Sequence, residues 1–223
     1  SMQPLSLWSN LGIFNYQHLL LGELYSRGAN FYLAKNVKEL SAIDFSHLTL
    51  LAKPTVKNLC QQNLLADVQL FQTMLQTQLQ NFDLNSYSLV FLIAPDHSAL
   101  EKKTLLAHAP LLKKVSLIER PYFYNFYLMQ KRNFSKVKFM INLFSDCAEL
   151  SLFEQDQLLV YQKIALHNFI EQSLDFFKTN LKKMALARPD CFYFFTNNSA
   201  QQIDSTVLVK ALQLEAIEID KLC

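Results

Sequence analysis

The sequence predicts an α/β protein made of two sheet-and-helix halves, and three observations predict it. Residues 89–129 read as strand, helix, strand, helix in immediate succession, the order of an α/β layer. The apolar run Leu-Val-Phe-Leu-Ile-Ala at 89–94 is continuous rather than alternating, as a strand covered on both faces requires. The second half then repeats the outline: three strands, a long helix, a strand, a helix and a last strand. No repeat is evident in the residues themselves.

Each element has its own signal. Residues 19–24 and 30–33 form a predicted hairpin turned by Ser26-Arg27-Gly28. Residues 58–80 carry Leu64, Leu65, Val68, Phe71, Met74, Leu75 and Leu79 at largely helical spacing, with Asp67 placed to cap the later part. Ser98 and Glu101 form a capping box that opens a helix over 98–112. A strand follows at 115–118, and Pro121 begins an aromatic helix at 122–129. Strands at 138–143, 149–153 and 158–165 make a meander with a turn at Gln155-Asp156. The amphipathic stretch 168–186 is a helix, 191–195 a buried strand, 205–213 a helix and 216–219 the final strand.

Composition narrows the function. The chain has 223 residues, 51% hydrophobic and 18% charged, enough for one large domain or two small lobes. Its 21 basic and 19 acidic residues leave a net charge of +2, which argues against nucleic acid as a partner. The densest basic group, Lys131, Arg132, Lys136 and Lys138, is read as a solvated connector. Four cysteines (Cys60, Cys147, Cys191, Cys223) lie far apart without metal-ligand spacing, so no metal is expected. His97 and His108 are read as surface residues. No run reaches the ~20 apolar residues that span a bilayer, residues 1–10 lack a basic signal region, and the protein is expected in the cytoplasm. Only three glycines occur, Gly12, Gly22 and Gly28, where average usage of roughly 7% implies about fifteen. Glycine lets backbone approach a ligand closely, so its scarcity argues against a phosphate-cradling loop.

The order of residues in 89–121, LVFLIAPDHSALEKKTLLAHAPLLKKVSLIERP, resembles the MreB family of bacterial actin-like proteins. In that family an apolar strand and Pro precede a helix, a strand and Ile-Glu-Glu-Pro. Leu64-Leu65-Ala66-Asp67 with Met74-Leu75 is similar to the family's Val-Ile-Ala-Asp and Met-Leu. MINLFSDCAELSL at 140–152 resembles its Val-Asp-Ile-Gly-Gly-Gly-Thr-Thr-Glu segment, and FTNNSA at 195–200 its Leu-Thr-Gly-Gly-Gly-Ala. The resemblance covers roughly residues 50–220. It implies an actin-like (ribonuclease H-like) two-lobe fold with the outer subdomains reduced or missing. Residues 1–135 would be the first lobe (IA-like) and 136–223 the second (IIA-like, with IIB missing).

The resemblance also implies where nucleotide chemistry would sit, and the residues there have changed. Phe14-Asn15-Tyr16-Gln17 stand where the family has Asp-Leu-Gly-Thr. In the second hairpin Asn142 replaces Asp, Phe144-Ser145-Asp146 replace three glycines, and Cys147 stands at the first of two threonines. Arg120 replaces the water-orienting glutamate, with Glu119 kept beside it, and an arginine cannot act as a base. Asn197-Asn198-Ser199 replace the adenine-facing turn. The expectation is a pseudo-ATPase with no cofactor and no catalytic residue. Surfaces must then carry function. The aromatic run 122–127, with Tyr122, Tyr124 and Tyr127, either fills the vacant cleft or anchors a partner. Trp8, among Leu5, Leu7 and Leu11, either begins the sheet or gives weak membrane association.

The expected role is a non-catalytic scaffold for cell-shape, envelope, secretion or pilus assembly, working through a protein partner at the inner face of the cytoplasmic membrane. One alternative is a pilus- or secretion-type protein that grips the cytoplasmic tail of an inner-membrane protein. Another is a subunit that co-polymerises with a true MreB filament.

Overall fold

Two hairpins with the same register logic organise the chain. A computed structural model describes residues 19–34, 48–52, 54–81, 87–107, 114–131, 136–196, 203 and 205–220. They divide into two compact units between residues 131 and 132.

In the first unit β1 (Leu19–Tyr25) turns at Ser26-Arg27 into β2 (Gly28–Ala34), which pairs with β3 (Leu48–Ala52). A small hairpin follows, β4 (Cys60–Gln61) and β5 (Leu64–Leu65), then α1 (Val68–Leu79). β6 (Ser88–Ile93), α2 (Ala99–Ala107), β7 (Lys114–Glu119) and α3 (Arg120–Lys131) complete it. The sheet order is β3-β2-β1-β6-β7, with the first three antiparallel and the last two added in parallel. Strand alternation gives the sheet two faces. Leu20, Leu24, Ala29 and Phe31 pack against Phe71, Met74, Leu75 and Leu79 of α1 in one core. Glu23, Tyr25, Asn30 and Tyr32 share the opposite face, the side on which Arg120 and Tyr124 of α3 reach Glu23.

The second unit has β8 (Val137–Leu143), β9 (Cys147–Glu154), β10 (Gln157–Ala165), α4 (Phe169–Lys183), β11 (Cys191–Thr196), α5 (Ser205–Leu212) and β12 (Glu215–Asp220). Its order, β10-β9-β8-β11-β12, has the same pairing senses as the first sheet. Phe139, Phe192 and Phe194 form an aromatic core with Phe176 and Phe177 of α4. Only Leu166–Asn168 separate β10 from α4.

Local chemistry sets these boundaries. Asp67 caps α1, its carboxylate accepting from Leu70 N–H at 3.0 Å. Ser98 and Glu101 exchange reciprocal bonds of 3.1 and 2.9 Å at α2. The expected helix over 58–80 starts ten residues late. Asn58, Gln62 and Asn63 all have positive φ, and Leu59 and Leu65 pack on the first core from a hairpin segment rather than a helix. β3 was not expected: it is a short, mostly exposed edge strand without a strong local signal. Lys138 is not in a solvated connector: it is 2% exposed on β8, and its Nζ donates to Gln155 C=O at 2.8 Å. Lys136 does lie exposed, 3.8 Å from Glu154. Among the described residues no helix is long and apolar enough to cross a membrane.

Candidate functional site

The two hairpins correspond residue for residue. Tyr25 pairs with Gly28, Leu24 with Ala29 and Glu23 with Asn30. In the second unit Phe144 N–H bonds Cys147 C=O, Leu143 pairs with Ala148 and Asn142 with Glu149. Glu-Leu-Tyr-Ser-Arg-Gly-Ala-Asn (23–30) therefore overlies Asn-Leu-Phe-Ser-Asp-Cys-Ala-Glu (142–149). Each has a buried acid–amide pair behind an aromatic-Ser-charged turn. Sequence reasoning missed this repeat because only Leu, Ser and Ala are identical. The counterpart of the second turn is thus Ser26-Arg27. Phe14, Asn15, Tyr16 and Gln17, expected to form the first hairpin, lie outside the described residues, as do Trp8, Asn197, Asn198 and Ser199.

In the first unit the buried acid is tied down. Glu23 is 7% exposed and Arg120 is 0% exposed. Arg120 Nε donates to Glu23 Oε1 at 3.0 Å, and a second guanidinium nitrogen donates to Leu24 C=O. Tyr124 Oη–H donates to the same Glu23 oxygen at 3.1 Å. Burial first, and then the Glu23 charge, push the Tyr124 hydroxyl well above its ordinary range. Glu119, on the last residue of β7, is raised by burial against the opposing charge of Lys102.

The turn itself is also engaged, by the chain's own insert. Asn63, fully buried, accepts at Oδ1 from Ser26 N–H (2.9 Å) and Ser26 Oγ–H (2.8 Å). Arg27 C=O accepts from Val56 N–H at 3.1 Å. Gly28 bridges to Thr55, and a Cβ there would strike Pro54 C=O, at a φ of +143° that disfavours any other residue. His97 fastens the far side of the insert: Leu65 N–H donates to Nε2 at 3.2 Å, and Nδ1 lies 2.9 Å from Ala94 C=O. These two contacts assign the proton to Nδ1. His97 is 4% exposed, not a surface residue as expected, because its ring bridges two chain segments. His108 lies outside the described residues.

In the second unit Asn142 is 6% exposed, and its Oδ1 has no hydrogen-bond partner among the described residues. Cys147 is fully buried, and its thiol is raised by burial and then by Glu149 and Asp146, so it is held as an unreactive thiol. Asp146 is exposed at the turn and Phe144 is buried behind it. Of the aromatic run proposed as a partner surface, Tyr122 and Tyr124 are 1% and 2% exposed. They are interior residues, with the Tyr124 hydroxyl committed to Glu23, whereas Phe126 and Tyr127 are partly accessible.

At the first turn, groups that an ATP–Mg ligand implied by the fold would use are already partly engaged within the chain. A phosphate needs free donors, and both donors of Ser26 go to Asn63. A divalent ion needs a carboxylate oxygen, and one of the two on Glu23, Oε1, already accepts from two side chains.

No protein-family model and no curated protein matches the chain in sequence. Solved structures do match. A Bacteroides thetaiotaomicron protein with an actin-like ATPase fold and unknown function aligns at TM-score 0.55 and 12% identity, over 92% of this chain and 91% of that one. The ethanolamine utilization protein EutJ of Carboxydothermus hydrogenoformans aligns at 0.59 and 10%, over 97% and 94%. A PilM–PilN type IV pilus biogenesis complex aligns at 0.59 and 10%, over 92% and 89%. ADP-bound MreB5 of Spiroplasma citri aligns at 0.51 and 12%, over 78% of this chain and only 60% of its own length. The chain has the actin-like fold.

Proposed function

We propose that this protein is a non-catalytic member of the actin-fold group, a pseudo-ATPase that acts as a scaffold for a protein partner. The observation that carries the reading is the first hairpin, where Arg120 and Tyr124 hold Glu23 and Asn63 takes both donors of Ser26. Both Ser26 donors and one carboxylate oxygen of Glu23 are thus satisfied internally. The second hairpin supports the reading through an exposed Asp146, whose charge opposes a phosphate.

Thermal unfolding with and without millimolar ATP–Mg tests this. The expected result is no shift; stabilisation above ~1 kcal/mol, the scale of ligand linkage, overturns it. Glu119→Gln then serves as a control, since any ATP turnover that it abolishes marks a surviving base.

Among scaffold roles, the fuller fold match favours a pilus-type partner over an MreB-type filament, with TM-scores of 0.59 and 0.51 respectively. The chain spans 89% of the PilM–PilN match but 60% of MreB5. The reading is that the protein binds the cytoplasmic segment of a membrane protein. A pull-down from the source cell that recovers only actin-like filament subunits overturns it in favour of co-polymerisation.

A further inference from the structure

We propose that the β4–β5 hairpin is an acid-released clasp over the β1–β2 turn, with His97 as its latch. The hairpin is weak by itself. It has two paired residues on each side, Cys60–Leu65 and Gln61–Leu64, and isolated hairpins even of ordinary length are marginal in water. Its tip, Gln62 and Asn63, adopts positive φ of 46° and 64° without a glycine, which adds a local cost. Leu59 anchors its base, fully buried in the first core.

The tip is held closed from two sides. Asn63 grips the β1–β2 turn through Ser26, and two residues on, Leu65 N–H binds the imidazole of His97. The second bond exists only while Nε2 is unprotonated, since an imidazolium has donors alone. Nδ1 already faces Ala94 C=O, so the ring cannot offer that nitrogen instead. Protonation places N–H against N–H, removes the bond and charges a buried ring. The tip then opens about Leu59 and frees the Ser26 donors.

The charges around the ring are mixed. Asp96 in the β6–α2 turn and Glu101 on α2 favour the imidazolium, while Arg120 on α3 opposes it; β5 contributes only Leu64 and Leu65. Burial outweighs these and holds the His97 pKa below its ordinary 6.5. The folded protein therefore binds fewer protons than the unfolded chain, and stability rises with pH through this window. The clasp's contribution is complete above about pH 6.5 and is lost as pH falls towards the lowered value.

Hydrogen exchange by NMR, expressed as protection factors corrected for intrinsic rate, tests the clasp on the whole chain. Between pH 7.5 and 5.0 the Leu65 and Ser26 amides should lose at least tenfold in protection. The midpoint should coincide with the titration of the His97 ring read from its own nitrogen shifts. The Phe91 amide, central in β6, should keep its protection. His97→Gln retains an acceptor and cannot titrate, so its Leu65 protection should be independent of pH. An unchanged Leu65 amide, a loss shared by Phe91, a midpoint that departs from the ring's, or the same profile in H97Q each overturns the clasp. None of these readouts depends on the scaffold reading, so the two can fail separately.

Discussion

Glu23 and Arg120 lie 97 positions apart and meet with almost no solvent, so their energetics follow from desolvation. Removing one partner strands the other charge. Arg120→Met is expected to cost about 3–5 kcal/mol in urea unfolding. Combining it with Glu23→Gln should restore part of that loss, since the double variant buries no unpaired charge. Strict additivity of the two single changes would show that the pair is not coupled. In sequence Arg120 was read only as the loss of a base. That it forms a cross-chain pair depends on α3 returning over the face of β1 that carries Glu23, and residue order does not state this. Gly22 shows the same limit. A Cβ there would meet the Phe91 ring, so packing within the sheet calls for glycine at this position.

At the scale of elements, the scarcity of glycine has a visible consequence. Among the described residues, left-handed positions are filled by Asn58, Gln62, Asn63, Gln155, Asn168, Ala185 and Gln213. Asn tolerates this conformation through its short polar side chain, but Ala has no such compensation. Helix α4 ends in a Schellman arrangement with Leu186 N–H bonded to Leu181 C=O and Ala185 N–H to Lys182 C=O. Ala185 occupies the position that glycine usually takes, at φ 51°. Ala185→Gly should therefore stabilise the protein by about 1 kcal/mol, the Cβ strain relieved being partly offset by greater unfolded-chain entropy. Thermal unfolding checks it, and a destabilised variant would show that the helix end carries no such strain. Most strands and helices were legible at this scale, because apolar runs and capping residues are local signals. The β4–β5 hairpin was not, because a hairpin of two-residue strands carrying half-buried leucines mimics helical spacing.

At the scale of the whole molecule, each unit builds one five-stranded sheet with the same strand order. The direct β10-to-α4 connection in the second unit leaves no room for an inserted subdomain there. Among the described residues, the first unit carries the small β4–β5 hairpin between β3 and α1. The chain spans only 60% of the length of MreB5. Sedimentation of the purified protein should accordingly leave it in the supernatant with or without ATP–Mg. ATP-dependent pelleting would sink both the scaffold reading and the claim that its hairpins reject nucleotide.

The sequence by itself determined the α/β class, the order of nearly all elements and the loss of glycine from the second hairpin, since these rest on local periodicity, capping and residue identity. Tertiary structure alone decided that the Ser26-Arg27 turn is the counterpart of the Ser145-Asp146 turn, because equivalence rests on strand pairing and not on residue likeness. It also decided that Tyr122, Tyr124 and His97 face inward. A helix or a turn specifies spacing along the chain, whereas burial depends on which distant segment returns to cover it.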